Sequence, residues 1–569
     1  MNVDEMQKKL SQKATKEPEH HFENLYGLLC NVNWLRVAAH ETLRNKGSET
    51  AGIDGMTKSN FLGDLEGNII QLKEALKAKT FEPMPVRRVY IPKANSEKKR
   101  PLGIPTLFDR IVQNALRMIL EPIWEADFSK HSYGFRPNRS TYDCITYLEK
   151  RLLGSSGATY QWVIEGDIAS YFDTIPHRRL IKAVKRRVAD RNIRDLLWKF
   201  LRAGVMYRDK MQETLTGTPQ GGIVSPLLAN IYLHELDRYM ESNYLSLSHE
   251  KRRGRRNRGL ANFLYARYAD DWVVLCNGTK TQALAMKEEL KGVLKEQGLE
   301  LSEEKTKVTH IKDGFDFLGY RIIRSIGTSG KMVPKVHIPE KAVKRFRQEI
   351  KRKLNPSSTN EAANAKITAL NQLIRGWCEY YRHSNNPGKT FDKLDYVLYW
   401  EMSHWLGTKY KIRISRVLRR FSRDNTLGTK TRKLIKLNEY KAKRSVAKTW
   451  HNPYTEPEKV KEEKERIKRE SLFSYNQSWQ GNEDRQGSSD LRDDVILTKG
   501  TICALNLPDI CESKGNPLHP SEVEIDHVIP RARFKDPKEA DRMGNLQPVC
   551  TPCHRAKTKT DSKVLSRMR

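Results

Sequence analysis

The chain has 569 residues, with 103 Lys and Arg against 69 Asp and Glu, a formal net charge of +34. At roughly 100–200 residues per domain this length holds about three to five domains, and the positive excess suits a polyanionic partner, nucleic acid foremost. No window approaches the roughly 18 consecutive apolar residues that a membrane span needs and no lipidation motif occurs, so a membrane partner is excluded.

Residues 1–30 mix Asp4, Glu5, Glu17 and Glu19 with lysines and lack an apolar h-region, which argues against a secretory signal or a typical transit peptide. A cytoplasmic location is expected, in a bacterial cytoplasm or nucleoid, with an organelle as the alternative. From Gly52 to Ile323 short β-like runs alternate with helical patterns. Strands are expected at Gln161–Ile168 and Phe263–Leu275, and a helix at Leu180–Val188 with Leu180, Ile181, Val184 and Val188 inward, in an α/β or α+β body. Beyond Pro339 the pattern turns helical, with one stripe at Val343, Phe346, Ile350 and Leu354 and another at Ile367, Leu370, Ile374, Trp377 and Tyr381. Between Pro453 and Asp494 charge dominates, and the stretch reads as a linker; a solvated helix fits Glu456–Glu470 about as well. Of eight cysteines, Cys30, Cys144, Cys276 and Cys378 sit among apolar neighbours, while Cys503, Cys511, Cys550 and Cys553 crowd one end. Reduced core thiols plus a metal site explain that asymmetry better than a disulfide framework.

Within Tyr265–Leu275 two β-prone runs flank Asp270 and Asp271. An apolar strand has no structural use for adjacent aspartates at its centre. A tight acidic turn is one reading; a hairpin that projects both carboxylates into a cleft to hold divalent cations is the other. Trp162–Ile168 is a strand with an acid, Asp167, at its end, able to face the pair across a sheet. Three such carboxylates suit two Mg²⁺ ions roughly 3.5–4 Å apart, one acidifying a primer 3′-hydroxyl and the other neutralising a leaving pyrophosphate. That chemistry is nucleotidyl transfer.

The Tyr-Ala-Asp-Asp box ending at Asp271 and the Asp-x4-Phe-Asp block from Asp167 to Asp173 resemble those of reverse transcriptases, group II intron-encoded ones in particular. Other blocks follow in family order: Gly52–Gly55, the fingers blocks from Ile91 to Pro105, Ser132–Pro137, the Pro-Gln-Gly block within Thr218–Ile231, and Leu301–Thr306 with Phe315–Gly319 closing the palm. The resemblance implies a right-hand polymerase in which Lys93 and Arg100 grip the incoming dNTP triphosphate, where Arg brings a fork and Lys a point charge. It further implies that Phe172 lies under the deoxyribose and excludes a 2′-hydroxyl, that Gln220 packs on the nascent pair, and that Lys305 belongs to the substrate site. RNA-dependent RNA polymerases typically carry an acid where Phe172 stands, so the resemblance points to DNA synthesis.

Arg375–Tyr381 resembles the Gly-Trp-x-x-Tyr-Tyr box of the maturase, or thumb, domain. Its rings also suit a plain aromatic core, which leaves Lys341, Lys344, Arg345, Lys351 and Arg352 to face a template–primer duplex. Arg252, Arg253, Arg255, Arg256 and Arg258 form a basic run that reads as an inserted loop for structured RNA, or as a merely solvated one. A further basic region spans Arg413 to Lys448.

Near the C-terminus, Glu524–Pro530 and Asn545–Lys557 resemble an HNH endonuclease of the ββα-metal type. The resemblance implies that Asp526 and His554 hold one Mg²⁺, His527 deprotonates a water and Asn545 keeps the His527 loop in place. The family usually has Cys-x2-Cys twice as a zinc site; here the first pair is Cys503-x7-Cys511, so structural Zn²⁺ on Cys503, Cys511, Cys550 and Cys553 rests on a departure from the pattern. A zinc ribbon that only grips DNA is the alternative for this module.

The expected architecture is multidomain α+β: an N-terminal extension and start of the fingers (1–85), reverse transcriptase fingers and palm (86–325), a helical thumb or maturase domain (326–420), a DNA-binding region and linker (421–494) and the HNH domain (495–569). The expected function is that of a mobile group II intron protein: a ribonucleoprotein with intron RNA that aids splicing, nicks target DNA and extends the new 3′ end. A defence-associated or domesticated reverse transcriptase and a splicing-only maturase are the alternatives.

Overall fold

In a computed structural model the chain is described at residues 2–92, 99–153, 160–207, 210–212, 216–218, 221–327, 330–423, 425–443, 445–473, 495, 499, 502–516, 518, 523–530, 533–534 and 537–566. It divides into two compact units, residues 1–440 with 447–465, and residues 441–446 with 466–569. Among the described residues no helix is long and apolar enough to cross a membrane.

Eleven strands of the first unit position its site. They are β1 (Val86–Pro92), β2 (Lys99–Ile104), β3 (Trp162–Gly166), β4 (Val205–Tyr207), β5 (Lys210–Gln212), β6 (Phe263–Tyr268), β7 (Asp271–Cys276), β8 (Lys307–His310), β9 (Phe315–Phe317), β10 (Tyr320–Ile326) and β11 (Met332–His337). The central sheet has order β6-β7-β3-β8 and is antiparallel throughout. Val163, Ile164, Val273, Val274 and Leu275 are buried in it, with Lys280–Glu296 packed on β3 and Thr141–Leu152 on β6. A second sheet runs β2-β1-β4-β5 and a third β11-β10-β9. The helix Leu107–Glu125 is buried along nearly its whole length, and Trp34 docks on it by donating its indole N–H to the Ala115 carbonyl at 3.1 Å.

Both apolar stripes beyond Pro339 lie on helices, Glu340–Lys353 and Ala363–Tyr381. Phe346 and Ile350 are buried as the spacing predicts, while Ala342 takes the deep position expected of Val343, which stays half-exposed. The strand expected at Gln161–Ile168 is shorter, Trp162–Gly166, and the helix expected at Leu180–Val188 is His177–Lys185.

One expectation is overturned, and one of two open readings is selected. The arginine run read as an inserted loop is a helix, His249–Asn257. Ser248 caps it by accepting from the Lys251 amide, and Arg252 and Arg255 donate to the carbonyls of Leu245 (2.6 Å) and Ala261 (2.8 Å). Arg258, just past the helix, donates to the Gly254 carbonyl at 3.3 Å, so three of the five arginines hold their own element, while Arg253 and Arg258 are exposed. After Pro453 the helical reading of Glu456–Glu470 holds rather than the linker, as the helix Pro457–Phe473. The chain leading into it is tied down: the Asn452 amide donates to the Ser11 hydroxyl at 3.0 Å, the Tyr454 hydroxyl to Glu121 at 2.9 Å, and Glu463 accepts from the Thr449 amide at 2.6 Å. Residues 474–494 of the expected linker lie outside the described residues.

Candidate active sites

Strand register brings the three aspartates together. β3 and β7 pair with Gly166 opposite Trp272, so Asp167, one step past the end of β3, lies alongside Asp271 at the start of β7. β6 and β7 pair through Tyr268 opposite Asp271, which leaves Ala269 and Asp270 as the two-residue turn of the hairpin. Gly166 is required beside Asp167 because a Cβ there would collide with the Trp272 ring.

The turn is held from behind by buried polar groups with no local sequence signature. Ala269 adopts φ +58°, a left-handed conformation that is uncommon outside glycine. Its carbonyl accepts from Arg267 at 2.8 Å, and Arg267 is wholly buried against Asp237, at 2.5 Å to one carboxylate oxygen and 2.7 Å to the other. Asn230 accepts from Arg267 at 2.9 Å and donates to the Gly134 carbonyl at 2.8 Å. Gly134 itself sits so close beneath the turn that a Cβ would strike the Ala269 backbone nitrogen. The Tyr265 hydroxyl completes the network by donating to Asp237 at 2.9 Å.

The electrostatics fit a divalent cation. Asp271 is pushed up to about 7, mainly because the surrounding protein displaces solvent from the charged form, and further by Asp270 and Asp167; Lys305 and Arg100 pull it back. The side chain is nonetheless exposed, so solvent screens part of this effect. Asp270 is raised for the same first reason, with Asp167 adding to it. Three carboxylates that repel one another in a partly desolvated cleft form an oxygen-rich donor set whose charge a cation relieves. Lys305 donates to Asp167 at 2.8 Å, and the Ser302 amide donates to the Asp167 carbonyl at 2.9 Å, so the block from Leu301 to Thr306 is built onto the end of β3.

Phe172 lies on the single turn Tyr171–Thr174, half-buried, edge-on to Tyr171 at 5.5 Å and to the exposed ring of Phe135 at 6.4 Å. Its carbonyl accepts from the Thr218 amide at 2.7 Å, which joins this turn to the start of the Pro-Gln-Gly block. Arg100 stands on β2 opposite Ile91 and is close enough to Asp270 and Asp271 to offset part of their upward shift. Lys93 and Gln220 lie outside the described residues.

The Gly-Trp box is a structural joint. Trp377 stacks on Phe346 at 4.5 Å, and the Tyr380 hydroxyl donates to the Leu318 carbonyl at 2.5 Å while its ring stacks on Tyr320 at 5.2 Å. The helix is thereby fastened to the tight β9–β10 turn. Of the basic residues expected to face a duplex, Lys341 pairs with Asp316 (2.7 Å), Lys351 with Glu401 (3.7 Å) and Arg352 with Glu349 (2.6 Å).

In the second unit, strands Val523–His527 and Leu546–Cys550 pair antiparallel and run into the helix Thr551–Ser566. Asp526, nearly buried, accepts from Gln547 at 2.8 Å and lies 3.7 Å from His554 Nε2 and 3.2 Å from Lys557. Glu524, two residues back on the same strand face, pairs with His554 Nδ1 and raises its pKa, leaving Nε2 directed to Asp526. His527 Nε2 meets Asp541 at 2.8 Å. Asn545 accepts from the Ile529 amide at 2.8 Å and donates to the carbonyls of Ile529 (3.1 Å) and Ala540 (2.9 Å). Sequence reading missed Glu524 and Asp541; the period of two from Asp526 marks the first, and nothing local marks the second. Cys503, Cys511, Cys550 and Cys553 are all buried, with their sulfurs within 4.8 Å of one another, and the set fits tetrahedral zinc despite the unusual first spacing.

The molecule is thus a mixed α/β protein carrying a triad of aspartates on one unit and a ββα module on the other. Comparison with known families gives matches in the same order: reverse transcriptase (RNA-dependent DNA polymerase) over residues 91–322, the group II intron maturase-specific domain over 343–421 and HNH endonuclease over 509–560. The chain is 42% identical over 362 residues to Protein YkfC of Escherichia coli K12, covering 61% of this chain and 95% of that one. It is 33% identical over 490 residues to the group II intron-encoded protein LtrA of Lactococcus lactis subsp. cremoris, covering 73% and 79%. The chain belongs to the group II intron-encoded proteins, as a reverse transcriptase and maturase with a C-terminal HNH domain. Its activity is RNA-directed DNA polymerisation in the service of a mobile group II intron.

Proposed function

We propose that the central sheet is the palm of a right-hand polymerase, the β2-β1-β4-β5 sheet its fingers and the helices after Pro339 its thumb, within the domain divisions 1–85, 86–325, 326–420, 421–494 and 495–569. The observation that carries this reading is the register that sets Asp167 beside Asp271 with Asp270 on the adjoining turn. These carboxylates would hold two Mg²⁺ ions, which when bound supply charge neutralisation and a more acidic primer hydroxyl. The protein's own contribution is positioning. Arg100 faces the triphosphate, Lys305 tethers Asp167 and Phe172 walls the sugar, with Lys93 and Gln220 assigned to the same substrate by motif. Replacing Phe172 by Val should raise ribonucleotide incorporation relative to dNTP by about tenfold or more, measured as kcat/KM for each on one template; an unchanged ratio removes Phe172 from the sugar site.

Intron RNA is proposed as the bound partner and template, in a salt-sensitive complex to which the helix carrying Arg252, Arg253, Arg255 and Arg256, with Arg258 at its end, contributes its outward arginines. The HNH unit is proposed to nick target DNA, giving the 3′ end that the polymerase extends. Asp526 and His554 would hold one Mg²⁺, which when bound stabilises the leaving oxygen; His527, oriented by Asp541, takes the proton from the attacking water, and Asn545 fixes the loop that carries it. A structural zinc on the four cysteines would brace this unit. His527→Ala should abolish strand cleavage, a loss of at least about 10²-fold, and leave extension of a supplied primer intact. Loss of both activities would contradict the division of labour.

A further inference from the structure

A cavity of about 710 Å³ opens in the first unit away from the aspartate triad. One wall is a single face of the helix Thr141–Leu152, where Asp143, Thr146, Tyr147, Lys150 and Arg151 recur at helical spacing. The stretch from Lys130 to Arg139 makes the second wall, and Ala447–Trp450, folded back onto the body, makes the third. Five of the lining side chains are basic and one is acidic. That acid, Asp143, is occupied by the Ser140 amide at 2.8 Å and by Lys448 at 3.4 Å.

Among the lining cations Arg139 is short of acceptors. Arg136 takes the nearby carboxylate, Glu125, at 2.7 Å. Arg139 is left between the rings of Trp450 (4.8 Å) and Tyr133 (5.3 Å), with one nitrogen on the Lys130 carbonyl at 2.8 Å. Its Nε and Nη2 are shut from solvent and find no acceptor among the described residues. Thr146 Oγ1 and His131 Nδ1, on side chains buried to more than nine-tenths, are also unpartnered, as is the Trp450 indole N–H. Burial lowers the pKa of Arg139 and of His131. Unsatisfied buried donors of this kind are rare without a ligand to meet them.

We propose that this cleft binds a nucleoside phosphate, with the phosphate seated among Arg139, Lys130, Lys150 and Arg151 and the base lodged against Trp450. The volume is larger than an inorganic phosphate needs and falls in the usual range for a small-molecule site. Clustered cations interleaved with aromatic rings are the means by which proteins hold a single nucleotide unit without pairing it. The nucleotide comes either free or as one unstacked residue of a single strand. The assignment does not rest on the polymerase reading.

Calorimetric titration of the full chain tests it, in EDTA and with Asp271→Asn in the background so that the triad does not compete. The probes are AMP, inorganic phosphate and an eight-residue oligo(rA). AMP should bind more tightly than phosphate, and Arg139→Gln should weaken it about tenfold or more. Lys150 is exposed on its helix, so Lys150→Glu, which should have the same effect, is not expected to disturb folding. Trp450→Leu should weaken AMP and leave phosphate unchanged. Oligo(rA) losing affinity in step with AMP assigns the site to a strand, and AMP alone losing it assigns the site to a free nucleotide. Absence of AMP binding, binding indifferent to both charge variants, or phosphate binding as tightly as AMP would overturn the proposal.

Discussion

Asp271→Asn is expected to lower DNA synthesis on an RNA template by at least about 10³-fold, yet to make the metal-free protein more stable above neutral pH. The first effect follows from the proposed cation site, since the change removes one of its three carboxylates where β3 meets the β6–β7 hairpin. The second follows from the sign of the shift. Asp271 titrates at about 7 in the folded chain, above the ordinary aspartate range near 4. The folded state therefore holds that proton more tightly than the unfolded chain, and stability is lost as pH rises from about 4 through about 7. Asparagine carries no such penalty. The variant's melting temperature should exceed the wild type's at pH 8, by an amount that solvent screening of the exposed Asp271 keeps small, with the gap closing toward pH 4. A wild-type chain as stable as the variant at pH 8 in EDTA would show that the three carboxylates are not crowded.

Asp237→Ala is expected to cost about 3–5 kcal/mol of folding stability, because it leaves Arg267 as a buried charge without its partner. Arg267 is 0% exposed and makes three of its hydrogen bonds to Asp237 and Asn230 and a fourth to the Ala269 carbonyl. Loss of the carboxylate thus acts on the same turn that carries Asp270. Denaturant midpoints should fall strongly for Asp237→Ala and recover in part for the double variant Asp237→Leu with Arg267→Met, since replacing both partners by apolar groups removes the stranded charge. A loss below about 1 kcal/mol for the single variant would mean that solvent reaches Arg267.

How much of this was legible in the sequence depends on how local the cause is. The hairpin was visible because two β-prone runs flank Asp270 and Asp271, and the end of β3 because an acid closes an apolar run. The helices after Pro339 were visible in their stripes. The groups that hold the hairpin were not, because Asp237, Asn230 and Gly134 reach Arg267 and Ala269 only after the chain has folded. A buried arginine in a strand and an aspartate in a distant helix carry no shared pattern. The arginine run was misread because its composition resembles a solvated loop; the Ser248 cap, and carbonyls that only the folded chain supplies to Arg252 and Arg255, make it a helix. For the stretch after Pro453 linker and helix were both open, because the contacts of Asn452 and Tyr454 that fix the chain there lie more than 300 residues away in sequence. In the HNH unit the cysteine spacing departs from the family pattern, and only the folded chain shows that Cys503 and Cys511 reach the other two.

The central claim is that Asp167, Asp270 and Asp271 form one divalent-cation site for RNA-templated DNA synthesis. The most direct measurement is anomalous scattering from crystals of the full chain grown with an RNA template, a DNA primer lacking its 3′-hydroxyl, an incoming dNTP and Mn²⁺. The expected result is two peaks about 3.5–4 Å apart, each within ligand distance of these carboxylates. Nucleotide bound with no peak at the three aspartates, or with metal held only elsewhere on the chain, would contradict the account.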